Sequence, residues 1–231
     1  MPSLYDITPF SLLDYPNEMS CIVWVAGCNM RCAYCHNPNI VLGKGEKEDD
    51  EIISFLEKRI GKLSAVVFSG GEATLYAGLP DLMRRVKTMG FKIKLDTNGS
   101  RPEVLRGLLD EGLADYVAMD FKCPPEKAEK LVGTAKLWEP FTQSLGLLIE
   151  AAASAITFEI RTTVHPDLLD EKDLAWMIAF LDTAGYRGTY YIQNVASTGD
   201  KTIGNVAKPE RALDLTVIPS PRGFALAYRN F

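Results

Sequence analysis

Short apolar runs rich in β-branched and aromatic residues recur six times along this chain, at 20–26, 65–68, 91–95, 115–119, 156–162 and 189–193. Each reads as a buried strand. The stretches between them keep a helical period. Ile52, Ile53, Leu56 and Ile60 share one face, after the acidic helix start Asp49-Asp50. Leu79, Leu82, Met83, Val86 and Met89 form a second face, and Val104, Leu105, Leu108 and Leu109 a third. Ser100 and Glu103, with Pro102 in the first turn, predict a capping box for that third helix. Further helices are expected at 125–131, at 141–153 and from Asp170 onward. Strand alternating with helix implies an α/β fold with parallel strands and right-handed crossovers. Six units are too few to close an eight-stranded barrel, which leaves a partial barrel or an open doubly wound sheet. Residues 1–19 read as an irregular lead-in. The tail 196–231 is polar and punctuated by proline, with a late strand near 224–228. With no repeat and no linker, a single domain over 1–231 is expected.

The chemically versatile residues cluster just after the strands. Cys28, Cys32 and Cys35 follow the first run. Gly70, Gly71 and Glu72 follow the second, Asp96, Thr97 and Asn98 the third, and Asp120 and Lys122 the fourth. Arg161 and Gln193 stand near the ends of the fifth and sixth. In a parallel sheet all strand C-termini share one rim, where α/β proteins build their sites. Blander readings exist for each group. Gly70-Gly71 suits any turn that needs positive φ, Asp96 suits a turn in Asp-Thr-Asn-Gly, and Lys122 or Arg161 suits a solvated surface pair.

The cysteines are spaced C-x3-C-x2-C within Gly27-Cys28-Asn29-Met30-Arg31-Cys32-Ala33-Tyr34-Cys35-His36-Asn37-Pro38. Thiolates are the usual ligands of iron–sulfur clusters, and a four-iron cluster normally takes four. Three would leave one iron open, the mark of a catalytic rather than a structural metal. Gly27 and Arg31 suit a tight loop around an anionic cluster. A structural zinc would need a fourth ligand, and His36 lies too close to Cys35 to complete one tetrahedron easily.

Composition removes several classes. A formal net charge of −5 with no basic stripe leaves no nucleic-acid footprint. Five cysteines, three of them in the loop, leave Cys21 and Cys123, too few for a secreted disulfide framework or a second cluster. No signal peptide is visible at the start, and the most apolar stretch, 145–158, is short and interrupted by Glu150. A cytoplasmic, reducing, oxygen-poor setting is expected, with no membrane partner.

The loop resembles that of the radical S-adenosylmethionine enzymes. The longer strings CNMRCAYCHNP and FSLLDYPNEMSCIVWVAGC resemble the activases of glycyl radical enzymes, most of all those of anaerobic ribonucleoside-triphosphate reductase. The resemblance implies a partial (β/α)6 TIM-like barrel, a [4Fe-4S] cluster on Cys28, Cys32 and Cys35, and S-adenosylmethionine chelated at the open iron. It implies that Gly70, Gly71 and Glu72 meet the methionine amino group and that Asp96 lies by its carboxylate or the ribose. It also implies a monovalent cation held by Asp96, Thr97 and Asp120, with Asn98, Lys122 and Arg161 lining the site and Tyr34 against the adenine. Gln193 and Asn194 fall where some activases carry a histidine, and Ala73 stands where proline is commoner. The implied partners are a glycyl radical enzyme and a flavodoxin- or ferredoxin-like electron donor; pyruvate formate-lyase as the partner, or a small-molecule substrate, are the alternatives.

Overall fold

The computed structural model describes residues 3–153, 156–195 and 202–231. One eight-stranded sheet holds them together, with strands side by side in chain order. Strand β2 (Ser20–Ala26) is followed by β3 (Ala65–Gly70), β4 (Lys92–Thr97), β5 (Tyr116–Asp120), β6 (Thr157–Val164) and β7 (Thr189–Asn194), all parallel. The late strand expected in the tail is β8 (Ala225–Arg229), which adds a seventh parallel member. The start of that tail, 196–201, lies outside the described residues.

The lead-in is not irregular. Ser3–Ser11 forms β1, antiparallel to β2 and broken in register near Leu4 and again near Thr8. Pro9 sits in it, as proline can on an edge strand, where one side of the backbone has no sheet partner. Strands β3, β4, β5, β6 and β7 also run further than their apolar runs. Gly70, Asp96, Thr97 and Asp120 are strand residues rather than loop residues, while Arg161 and Gln193 lie within strands as expected. Backbone pairing continues past the apolar part because the polar side chains there face the interior of the curl.

Helices α2 (Asp49–Glu57), α3 (Leu79–Thr88), α4 (Pro102–Asp110), α6 (Trp138–Ala151) and α7 (Glu171–Ala184) lie between strands, with the short helices α1 (Pro38–Leu42) and α5 (Ala128–Val132). Asp170 caps α7 by accepting from the N–H groups of Lys172 and Asp173. The expected Ser100–Glu103 box is absent: Arg101 stands at the N-cap of α4 with no side-chain cap. The Ser100 hydroxyl is turned instead to Asn29, whose Nδ2 donates to it at 2.8 Å.

Alternation along each strand sorts the side chains into two populations. Outward residues such as Val23, Phe68, Leu95, Val117 and Ile160 pack under helix residues such as Leu56, Met83, Leu105, Leu148 and Leu174 in one large core. Inward residues Ile22, Ala65 and Val67 form a small core with Tyr15, with Trp24 and Tyr116 packed against it. Above this floor the inward positions turn polar: Lys94, Asp96, Asp120, Glu159, Arg161 and Gln193. The sheet curls into a partial barrel, because loops that follow β2, β5 and β7 touch one another. The Arg31 N–H donates to Val132 O at 2.8 Å and the Ile203 N–H to Cys35 O at 3.2 Å. Among the described residues no helix is long and apolar enough to cross a membrane.

Candidate active site

A cavity of about 320 Å³ opens at the C-terminal rim of the parallel strands. The cluster and cofactor candidates from the sequence line it: Cys28, Cys32, Tyr34, Cys35, Gly70, Gly71, Glu72, Asp96, Thr97, Asn98, Asp120, Lys122, Arg161 and Gln193. The volume lies in the range of small-molecule and cofactor sites.

The cysteine loop is pinned at its base, middle and far side. The Gly27 N–H donates to Ile40 O at 2.9 Å, the Ala33 N–H to Leu131 O at 2.9 Å, and the Gly204 N–H to Ala33 O at 2.8 Å. Arg31 does not face the cavity; its Nη1 donates to the carbonyls of Cys28 (2.6 Å) and Met30 (2.8 Å) of its own loop. Asn98 Nδ2 donates to Asn29 Oδ1 at 3.0 Å and lies 3.9 Å from Cys28 Sγ, which also receives the Met30 N–H at 3.4 Å. Tyr34 is buried, and its hydroxyl donates to Lys122 O at 3.4 Å. That bond ties the cysteine loop to the segment just beyond β5, with Tyr34 still lining the cavity.

Gly70 and Gly71 bring β3 against the base of this loop. The Gly71 N–H donates to Val25 O at 2.8 Å and the Glu72 N–H to Gly27 O at 2.9 Å. A Cβ on Gly71 would lie 2.1 Å from Gly27 O, and Gly70 has φ +130°, so only glycine fits at either position. The Glu72 carboxylate is fully buried. It accepts from the Asn98 N–H (2.6 Å), the Thr97 hydroxyl (2.7 Å), the Thr74 N–H (3.1 Å) and the Thr74 hydroxyl. Burial raises its pKa despite these donors. Its side chain ties the end of β3 to the end of β4.

The inward face carries a ladder of charges. Arg161 Nε donates to Asp120 Oδ1 at 3.0 Å, and Arg161 Nη1 lies 3.6 Å from Asp96 Oδ2. Lys122 Nζ donates to Asp120 Oδ2 at 2.9 Å, Ser69 Oγ to Asp96 Oδ2 at 3.0 Å, and Lys94 Nζ to Asp96 Oδ1. Burial works against ionisation of Asp120, yet Arg161 and Lys122 hold its carboxyl down at about 2. Asp96 is lowered in the same way, burial being outweighed by Arg161 and Lys94. One layer further down, Tyr116 donates to Glu159 Oε2 at 2.7 Å; nearer the rim, Arg229 Nη1 donates to Gln193 Oε1 at 3.1 Å.

Sequence reasoning missed Lys94, Glu159, Arg229, Ser69 and Asn29. Lys94 had a signal: in Lys92-Ile93-Lys94-Leu95-Asp96 the two-residue period places it on the face of Asp96, opposite Ile93 and Leu95. His165 lies away from this cavity, buried with Nε2 2.8 Å from Ala207 O.

The residues present suit an iron–sulfur cluster. Cys28, Cys32 and Cys35 are free thiols on one cavity wall. Burial pushes the Cys28 thiol up to about 11, so iron must compete with its proton. Both ring nitrogens of His36, beside Cys35 on the same wall, are buried without a partner. Among the described residues no group of three His, Cys, Asp or Glu could hold one metal ion. A cluster, in which each thiolate meets a different iron, suits this loop better than a single zinc.

Comparison with known proteins decides the family. The profile of the radical SAM superfamily matches residues 22–176. This chain belongs to the radical SAM superfamily. It is therefore a radical SAM enzyme, of a family that uses a [4Fe-4S] cluster and S-adenosylmethionine. It is 36% identical over 171 residues to a protein of Methanocaldococcus jannaschii that bears the name glycyl-radical enzyme activating enzyme, covering 73% of this chain and 70% of that one. It is 28% identical over 186 residues to the pyruvate formate-lyase-activating enzyme of Clostridium pasteurianum, covering 75% and 73%. A 7-carboxy-7-deazaguanine synthase of Methanopyrus kandleri is 29% identical over 132 residues, covering 48% and 52%. In fold, the radical SAM chain is similar to Streptococcus suis SuiB bound to S-adenosylmethionine, with a TM-score of 0.60 at 13% identity. That match covers 87% of this chain and 48% of SuiB, so the chain spans about half the length of that structure.

Proposed function

We propose that this radical SAM enzyme is an activase that places a glycyl radical on a partner enzyme, and that the partner is an anaerobic ribonucleoside-triphosphate reductase. The observation that carries the chemistry is the convergence of the three thiols and the Asp96–Arg161–Asp120 ladder on one cavity. The choice of a protein glycine is supported by two relatives named as activases, each matched over about three quarters of this chain. The choice of reductase rests on the resemblance of the segments around the cysteine loop.

In this reading Cys28, Cys32 and Cys35 hold the cluster. Asp96, Thr97, Asn98, Asp120, Lys122, Arg161 and Gln193 cradle S-adenosylmethionine, with Gly70, Gly71 and Glu72 shaping the edge nearest the methionine amino group. When bound, the reduced cluster supplies the electron that splits S-adenosylmethionine into methionine and a 5′-deoxyadenosyl radical. The protein's own work is orientation and exclusion of water. Tyr34 and Met30 wall the cavity on the loop side, and Arg161 and Lys122 set a cationic edge for the methionine carboxylate. The chemistry that cluster and cofactor would supply together, at the cavity these residues line, is removal of a hydrogen atom from the α-carbon of the partner's glycine. A flavodoxin- or ferredoxin-like protein delivers the electron, and the setting is the reducing cytoplasm.

The test is anaerobic reconstitution followed by incubation with S-adenosylmethionine, reductant and candidate partner enzymes, read by electron paramagnetic resonance. A glycyl radical on the reductase, absent with Cys32→Ala, is expected. A radical on pyruvate formate-lyase alone would move the partner. Cleavage of S-adenosylmethionine only with a small deazapurine precursor would replace the reading by that of a synthase.

A further inference from the structure

The Asp96, Thr97 and Asp120 set that the family resemblance assigns to a monovalent cation is already filled by the protein. All four carboxylate oxygens have side-chain partners: Lys94 on Asp96 Oδ1, Ser69 and Arg161 on Asp96 Oδ2, Arg161 on Asp120 Oδ1 and Lys122 on Asp120 Oδ2. The Thr97 hydroxyl points its proton at Glu72 and in turn accepts the Gly99 N–H at 3.1 Å. A free sodium or potassium ion would have to enter beside three fixed cations, and like charges at such range in a part-buried site repel strongly. The residues present do not fit a bound monovalent ion.

Lys94 is the unusual member. Its side chain is only 2% exposed, on the inward face of β4, where a buried ammonium group needs a partner. It has that partner in Asp96, and its Nζ lies 5.9 Å from the centroid of the Tyr116 ring. The charged groups facing this region are Lys94 and Asp96 of β4, Asp120 of β5, Glu159 and Arg161 of β6, Arg229 of β8 and Lys122 just beyond β5. Four cations meet three carboxylates. The surplus of one positive charge matches one carboxylate group of a ligand. Glu72 is held apart from this balance by two hydroxyl and two backbone donors.

We propose that the Lys94 ammonium is a built-in counter-ion: it does at Asp96 what a dissolved monovalent cation would otherwise do, and frees cofactor binding from sodium and potassium. Lys94 is a positioning residue here, acting through Asp96 on the methionine carboxylate of S-adenosylmethionine. The inference rests on the assignment of this rim to that cofactor.

The test measures binding rather than turnover. Cluster-loaded protein is dialysed anaerobically against labelled S-adenosylmethionine in choline, sodium or potassium chloride at equal ionic strength. Wild type is expected to bind equally in all three. Tighter binding by about tenfold in potassium or sodium than in choline would overturn the proposal. Lys94→Met, which keeps the length and removes the charge, is expected to weaken binding in choline by about tenfold or more. Wild-type affinity in that variant would also overturn the proposal. Should the variant fail to fold, the wild-type salt comparison decides alone. Wild type that loads its cluster yet binds no S-adenosylmethionine in any salt would instead remove the site assignment, and the proposal with it.

Discussion

Arg161 donates from Nε to Asp120 Oδ1 at 3.0 Å, between two residues whose backbones are paired in register on adjacent parallel strands. Register alone sets the two side chains next to each other on the inward face, so no loop has to adjust to bring them together. The pair inherits the stiffness of the sheet.

The charge state of Asp120 sets an acid limit on stability. Its carboxyl is lowered from the ordinary 3.8 to about 2, against burial and through Arg161 and Lys122. A lowered carboxyl contributes stability that is fully present above the unfolded value. That contribution is lost as pH falls through the folded one, here between 3.8 and about 2. Its size is about 2 kcal/mol. Asp120→Asn is expected to lower unfolding free energy at neutral pH by at least that amount and to flatten the acid limb. Denaturant titrations of the metal-free protein from neutral to acid pH check this. A constant gap between wild type and variant across the acid range would count against it.

Gly71 and Gly107 should respond oppositely to the same substitution. At Gly71 a methyl group would meet the Gly27 carbonyl at 2.1 Å and crowd Cys28 Cβ at 3.2 Å. Gly71→Ala is expected to cost about 2–3 kcal/mol and to lower the iron retained after reconstitution. Gly107, inside α4, has nothing within 4 Å of a new Cβ. Gly107→Ala is expected to add roughly 0.5–1 kcal/mol from helix propensity. Thermal unfolding and iron analysis read both variants, and equal behaviour would refute the close-approach argument.

Glu72→Gln tests whether this carboxylate is structural. Its oxygens meet four donors, and an amide nitrogen placed there would face at least one N–H or O–H head on. A loss of about 1–3 kcal/mol is expected, together with weaker coupling of the cysteine loop to the Asn98 turn. Unchanged thermal stability with abolished cofactor binding would instead mark Glu72 as a direct ligand.

The architecture was legible because alternation of strand and helix is a local signal, and each parallel strand delivers its end to the same rim. The cysteine spacing and the polar residues at the strand ends were legible for the same reason. β1 was not: Leu4 is its only fully buried large apolar side chain, and Pro9 breaks the strand pattern. The capping box failed because Ser100 had a competing partner 71 positions away in sequence, Asn29, which no local rule sees. Lys94 was overlooked because a lysine in a strand usually marks solvent; only the curl of the sheet turns that face inward. The cation at Asp96, Thr97 and Asp120 was an implication of the family resemblance, while the groups that pair with the two aspartates stand on β4, on β6 and just beyond β5.

Because every strand lies beside its predecessor in the chain, the sheet can be assembled in the order of synthesis, with no strand wedged between two finished ones. The thiol-bearing loop emerges early, attached to β2, but its covering contacts arrive late: Val132 after β5, then Ile203 and Gly204 after β7. A nascent chain therefore presents its three sulfurs on an unfinished wall. The window for loading iron and sulfide is widest before the last sixth of the polypeptide has docked.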